Sequence, residues 1–202
     1  MAKRDRRSEI MKATEKLFAS RRFHEITLDE VIREAHVGKG TVYRYFKDKD
    51  DLFFETAMNG YAELCGLLRD VPGDLSFEEQ LLAACTQISA FFRRRRPLFR
   101  MMHSEDARAY WHKGEFRQRW RERRRKIDAA MSDILRRGVE EGALRTDVRP
   151  ETLSRLLLGL LRTYSRARAR GRSRDLDLDL VVDMFLRGAG ARGSETQKGS
   201  GS

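Results

Sequence analysis

The sequence predicts an all-α fold of about nine helices, with an N-terminal three-helix helix-turn-helix unit and a larger C-terminal helical domain. Two observations carry this. Apolar residues recur at three- and four-residue spacing in segment after segment, often behind a capping residue. No stretch alternates apolar with polar residues as a half-buried strand would. With 202 residues and a hydrophobic fraction of 40%, the chain can bury one sizeable core or two small ones.

Residues 1–7 form a basic arm in which Lys3, Arg4, Arg6 and Arg7 face only Asp5. Such an arm reaches phosphates or the minor groove, or else is a solvated terminus. A first helix runs to about residue 20, and Phe23 and Ile26 staple the connection to the second. Thr27 and Glu30 form a T-x-x-E capping box, so the second helix begins at Leu28. Leu28, Val31, Ile32 and Ala35 turn one face inward, and the pattern fails at His36, Val37 and Gly38, where the backbone can turn. In the third helix Val42 and Phe46 point inward one turn apart, while Gly40, Thr41 and Arg44 lie opposite, flanked by Lys39 and Tyr43. That outer face is short, polar and cationic. It suits a recognition helix in the major groove, where Lys and Arg donate to guanine O6 and N7 and Thr meets a base edge or a thymine methyl. Asp48 caps the next helix, whose first-turn Lys49 can hold a phosphate together with the helix N-terminus. The same geometry also occurs in structural αα-hairpins, so spacing alone leaves both readings open.

The run Thr27, Val31, Ile32, Ala35, Val37, Gly40, Thr41, Val42, Tyr43, Tyr45, Phe46, Lys49 and Leu52 resembles the N-terminal signature of the TetR/AcrR family of bacterial transcriptional regulators. The likeness extends upstream to Ile10, Ala13, Leu17 and Phe18, the buried face of the family's first helix; the rest of the chain resembles the family in helical layout. The resemblance implies a sequence-specific DNA-binding regulator, a repressor released from a palindromic operator by a small-molecule effector. It makes residues 1–48 the DNA-binding domain and 49–188 the ligand-binding and dimerisation domain, with 49–69 as connecting helix. It implies that Thr27, Tyr43 and Lys49 contact backbone phosphates of double-stranded DNA, and that Lys39, Gly40, Thr41 and Arg44 face the bases. The family usually has glycine where this chain has His36, and near Arg22, which predicts strained or differently built turns at both places.

The connecting helix carries Leu52, Phe53, Thr56, Met58, Tyr61, Leu64, Cys65 and Leu68 until Val71, Pro72, Gly73 and Asp74 end it. Residues 76–95 form a helix with the stripe Phe77, Leu81, Ala84, Cys85, Ile88, Phe91 and Phe92. Pro97 interrupts it and starts a short helix through Leu98, Phe99, Met101 and Met102. Residues 115–142 read as one long helix ended by Gly142. Phe91, Phe92, Met101, Met102, Trp111, Phe116 and Trp120 form an aromatic and Met-rich set that either lines a pocket or fills a core. The family resemblance places an effector pocket between these helices, and the expected ligand is small and apolar or amphipathic.

Pro150 sits at a first-turn position, followed by Leu153, Leu156, Leu157, Leu160, Leu161 and Tyr164 at helical spacing. After a basic linker, a last helix from about residue 176 carries Leu178, Val181, Val182, Phe185 and Leu186. Two adjacent apolar helices fit a four-helix homodimer interface, where the family dimerises, or else close the monomer's core. Residues 189–202 are rich in Gly, Ser and charge, as in a disordered tail.

The formal charge of +11 and pI near 10.1 favour a polyanionic partner, nucleic acid first and an anionic membrane surface second. Nearly the whole surplus lies in residues 93–126, where fourteen Lys or Arg meet only Glu105, Asp106, Glu115 and Glu122. It reads as a seat for an anionic effector near residues 93–96 and 117–126, or as a solvated helical face. No apolar run suits a membrane span and no signal-peptide pattern opens the chain, so a cytoplasmic location without membrane association is expected. Cys65 and Cys85 lack partners at ligand spacing and read as buried apolar residues. His103, Ser104, Glu105 and Asp106 with His112 have neither zinc spacing nor a nucleophile elbow, so no enzyme and no cofactor are expected. Two alternatives stay open: a regulator of this fold without an effector, and a helical enzyme or lipid-surface protein that shares the fold.

Overall fold

The computed structural model describes residues 5–103, 114–171 and 176–190. Among these residues there are nine α-helices and no strand: α1 Arg6–Phe18, α2 Leu28–Glu34, α3 Lys39–Tyr45, α4 Lys49–Arg69, α5 Phe77–Arg94, α6 Arg96–His103, α7 Gly114–Glu140, α8 Pro150–Ala169 and α9 Leu178–Ala189. They fall into two compact units, Met1–Gly66 with Ala90–Ile127 and Leu67–Ser89 with Asp128–Ser202. Trp111, His112, Glu105 and Asp106 lie outside the described residues, as does the tail from 191 onward.

In the first unit α1 is capped by Asp5, which accepts the Ser8 amide, and buries Ile10, Ala13 and Phe18. It stops at Phe18, earlier than periodicity suggests, because the chain enters a short 3-10 turn, Phe23–Glu25. Arg22 there is extended at φ −88°, and its N–H donates to Glu25 Oε2 at 2.8 Å. Of the two expected outcomes at Arg22, the turn is differently built rather than strained: the Glu25 side-chain cap forms it, so no left-handed residue is needed. Phe18 and Phe23 both meet the Phe53 ring edge-on, at 5.7 and 4.7 Å between centroids, and tie the turn to α4. On α4, Gly60 faces α6, where any Cβ would overlap the Leu98 side chain, so the two helices approach as closely as only glycine permits. From the α5–α6 junction Arg95 reaches Glu15 and Glu63, and Arg100 of α6 donates to Ala19 O at 2.6 Å.

In the second unit Ser76 and Glu79 form a capping box for α5, with the Ser76 hydroxyl donating to Glu79 Oε2 at 2.8 Å. Gly142, at φ +73°, ends α7 in the left-handed region, and Leu144 N–H closes back on Gly138 O at 2.9 Å. Pro150 occupies the first turn of α8. The last helix starts at Leu178, later than expected, because Asp177 accepts the Leu180 amide at 2.7 Å and fixes the N-cap. Leu153, Leu157, Leu161 and Tyr164 of α8 and Val181 and Phe185 of α9 are buried within the single chain, so these six belong to its own core. Leu156 and Leu160, from the same predicted set, are 57% and 40% exposed, as are Leu180 at 39% and Met184 at 61%. The outer stripe of the two helices is thus Leu156, Leu160, Leu180 and Met184.

Candidate nucleic-acid interface

The α2–α3 pair is built by local chemistry. The Thr27 hydroxyl donates to Glu30 Oε2 at 3.0 Å and accepts the Glu30 amide at 3.3 Å, while Thr27 N–H donates to the same carboxylate at 2.8 Å. Arg21 adds a guanidinium bond to Glu30 at 2.6 Å. These donors, led by the Thr27 amide, hold the Glu30 carboxyl at about 2, against an ordinary 4.5. At the turn, His36 adopts φ +51°, in the left-handed region that favours glycine. Gly38 then caps α3, with Thr41 N–H donating to Gly38 O at 2.9 Å.

Val42 and Phe46 are buried, at 0% and 2% exposure, and fix the inner face of α3. On the outer side Lys39, Gly40, Tyr43 and Arg44 are exposed and Thr41 is half-buried. A Cβ at Gly40 would meet nothing within 4 Å, so the protein's own packing does not demand a glycine there. Thr27 is exposed, but its hydroxyl and amide are committed to Glu30. Asp48 caps α4 by accepting the Asp51 amide at 2.8 Å. Lys49 stands in the first turn with its Nζ 4.3 Å from the Phe23 ring centroid; burial lowers its pKa, against the pull of Asp50 and Glu30. The seven residues assigned to DNA thus lie on the outer side of α2, α3 and the start of α4. Tyr45, given no role by spacing, is 38% exposed with the Arg44 guanidinium 5.3 Å from its ring. Its signal is an aromatic side chain off the inward Val42–Phe46 register, where burial gives no reason for it.

The aromatic and Met-rich set divides. Phe91, Phe92, Met101 and Met102 are buried at the α5–α6 junction. Phe92 packs edge-on against Phe91 at 5.2 Å and Phe99 at 4.8 Å, and His103 lies over Phe99 at 4.5 Å. Phe116 pairs instead with Phe54 of α4 at 4.8 Å, and Trp120 carries the Arg124 guanidinium at 5.3 Å. Both are only half-buried. Among the described residues no three His, Cys, Asp or Glu side chains gather to hold a metal, and no helix is long and apolar enough to cross a membrane. Both cysteines are buried, and burial pushes the Cys85 thiol up to about 12.

The sequence pattern of bacterial regulatory proteins of the tetR family matches residues 10–56, and that of the tetracyclin repressor-like C-terminal domain matches residues 74–189. The chain belongs to the TetR family. This TetR-family chain is 27% identical to a helix-turn-helix-type transcriptional repressor of Mycobacterium tuberculosis over 156 residues, 77% of the chain and 78% of that protein. It is 42% identical to the transcriptional regulator HbdR of Aromatoleum over 55 residues, which span 27% of the chain and only 24% of HbdR. The solved structure of the regulator FadR of Bacillus subtilis in complex with stearoyl-CoA has the same fold, with a TM-score of 0.74 at 17% identity over 89% of this chain and 95% of that one. Family and fold make this TetR-family chain a DNA-binding transcriptional regulator, and not an enzyme.

Proposed function

We propose that the protein is a homodimeric repressor that binds a palindromic operator through α3 and leaves it when an amphipathic effector binds. The observation that carries the DNA reading is the two-sided character of α3. Val42 and Phe46 seal one side, while Lys39, Gly40, Tyr43 and Arg44 are exposed on the other, with no internal packing reason for Gly40. Thr41 completes the base-facing set, and Tyr43 and Lys49 contact the backbone, as does Thr27 once its hydroxyl turns from Glu30 Oε2 to a phosphate. Dimerisation uses the outer stripe Leu156, Leu160, Leu180 and Met184, since large apolar residues left exposed on two neighbouring helices need a partner surface. Two recognition helices then sit roughly 34–36 Å apart, to enter successive major grooves.

The effector seat is assigned to the set on α5, α6 and α7. Phe91, Phe92, Met101 and Met102 form its apolar floor and the half-buried Phe116 and Trp120 its open side. FadR, of the same fold, was solved with stearoyl-CoA, a long apolar chain on a phosphate-bearing head. Here Arg93, Arg96, Arg117 and Lys126 are exposed and suited to such a head group. The test is selection of duplexes from a random library by the purified chain, repeated with Lys39→Ala and Arg44→Ala. A palindrome enriched by the wild type and lost in the variants is expected; enrichment of no sequence refutes the reading.

A further inference from the structure

Arg7 and Arg119 converge on one carboxylate. Arg7, in the first turn of α1, donates from Nη2 to Glu55 Oε2 at 2.6 Å. Arg119 of α7 donates to Glu55 Oε1 and, at 3.4 Å, to Asp51 Oδ1. Glu55 is only 16% exposed and Asp51 18%, so neither acid can turn freely to water for a substitute partner. The contacts continue in both directions. The Arg7 guanidinium lies 5.5 Å from the ring centroid of Phe46, the C-cap of α3. The Arg119 guanidinium lies 4.7 Å from the Phe54 ring, which packs on Phe116.

A half-exposed ion pair does little for stability by itself. A carboxylate shared by two guanidiniums and largely withdrawn from water behaves differently, because loss of one partner changes how it holds the other. Moving Arg119 redistributes Glu55 toward Arg7, and Arg7 covers the residue whose burial fixes the last turn of α3. Resting on the DNA-reading assignment of α3, we propose that Arg119, Glu55 and Arg7 are positioning residues for the recognition helix. Through them the setting of α7, which bears Phe116 and Trp120, is read as operator affinity. Glu55 is the junction: without it, α7 and α3 are uncoupled.

The test is a double-mutant cycle on the full chain, using a duplex selected by the wild type from a random library. Arg119→Met is made alone and in a Glu55→Gln background. Arg69→Met is the charge-matched control, since Arg69 is exposed at the end of α4, the helix that carries Glu55, and makes no ion pair among the described residues. Arg119→Met is expected to weaken operator binding about threefold more than Arg69→Met, and to match that control once Glu55 is Gln. Amide exchange in α3 of the DNA-free chain is expected to rise with Arg119→Met and Glu55→Gln but not with Arg69→Met. Equal losses for Arg119→Met and Arg69→Met, or a loss that persists undiminished in the Glu55→Gln background, overturn the proposal. If the wild type selects no duplex, the DNA reading fails, and the exchange measurement still decides whether α7 positions α3.

Discussion

The Lys49 ammonium lies 4.3 Å from the centroid of the Phe23 ring. The 3-10 turn after α1 thereby aims the first-turn cation of α4, and Phe53 beneath holds the ring edge-on at 4.7 Å. A cation steadied on an aromatic face at a helix N-terminus is a pre-set phosphate donor. Lys49→Ala is expected to weaken binding to all duplexes alike and to reduce the slope of log K against log salt by about 0.9, the loss of one phosphate contact. Phe23→Leu, which keeps the charge and removes the ring, should weaken binding with the slope nearly intact. Titrations at several salt concentrations check both, and an unchanged slope in Lys49→Ala refutes the phosphate contact.

Base reading should separate from backbone holding. Lys39→Ala or Arg44→Ala is expected to cost about 1–3 kcal/mol on the selected operator and to relax preference at one position of each half-site. Gly40→Ala supplies a complementary measurement. Its methyl group meets nothing in the protein, so thermal stability should hold or rise slightly while operator affinity falls. Unaltered affinity in Gly40→Ala would show that no duplex approaches there.

Much of this interface is written locally. The capping box of Thr27 and Glu30, the inward pair Val42 and Phe46 and the Asp48 cap each span three or four residues, and short-range patterns of that kind identify helices and their faces directly. His36 was legible for the same reason, since only its own backbone must turn left-handed. At Arg22 the two alternatives, a strained or a differently built turn, were legible, and the bond to Glu25 decides for the second. Glu55 was out of reach altogether: its partners Arg7 and Arg119 are 48 and 64 residues away, and no periodicity relates them. The leucine run of α8 fails differently. Leucines at 156, 157, 160 and 161 populate adjacent faces of one helix, so spacing cannot say that Leu157 and Leu161 close the core while Leu156 and Leu160 stay outside.

That distinction makes the assembly testable. Leu160→Asp and Met184→Asp, on the exposed stripe, are expected to leave a folded chain that dissociates in light scattering and loses operator affinity together. Phe185→Asp is expected to fail before assembly, because Phe185 is 5% exposed within its own chain and an unpaired buried charge is severely destabilising, by above about 4 kcal/mol. A dimer that survives both stripe substitutions would place the interface elsewhere.

Acid should loosen the DNA-reading unit at a defined place. The folded-state pKa of Glu30 is about 2 against an ordinary 4.5, so its capping contribution is complete above 4.5 and lost as pH falls toward 2. Glu25 and Glu79 are lowered as well, so acid weakens the whole chain, and the Glu30 share is isolated by comparison with Glu30→Gln. The thermal midpoint of the wild type should exceed that of Glu30→Gln near neutrality, and the gap should close on acidification. A gap independent of pH would remove the capping carboxylate from the account.

Effector response is the sharpest expectation, because it is reciprocal. Only a ligand with different affinities for two states can move their populations, and linkage requires the same factor in both directions. Stearoyl-CoA, the ligand of the FadR structure, is the first probe. If it weakens operator binding by some factor, the operator must weaken stearoyl-CoA binding by that factor, measured by calorimetry on the DNA-bound and free chain. Phe92 and Met102 are buried beside Phe99 and Met101, so enlarging the seat by Phe92→Ala would destabilise the fold by about 3–5 kcal/mol and confuse the result. Trp120→Ala is the cleaner variant, because the ring is half-buried and its loss leaves the Phe92–Phe99 packing in place. If the chain binds stearoyl-CoA at the proposed seat, this variant should weaken that binding while operator affinity without ligand stays within about twofold, a shift below 0.5 kcal/mol typical of surface changes. If neither stearoyl-CoA nor shorter acyl-CoA esters alter operator affinity, acyl-CoA esters are excluded as the effectors, and the regulator of this fold without an effector becomes the better reading.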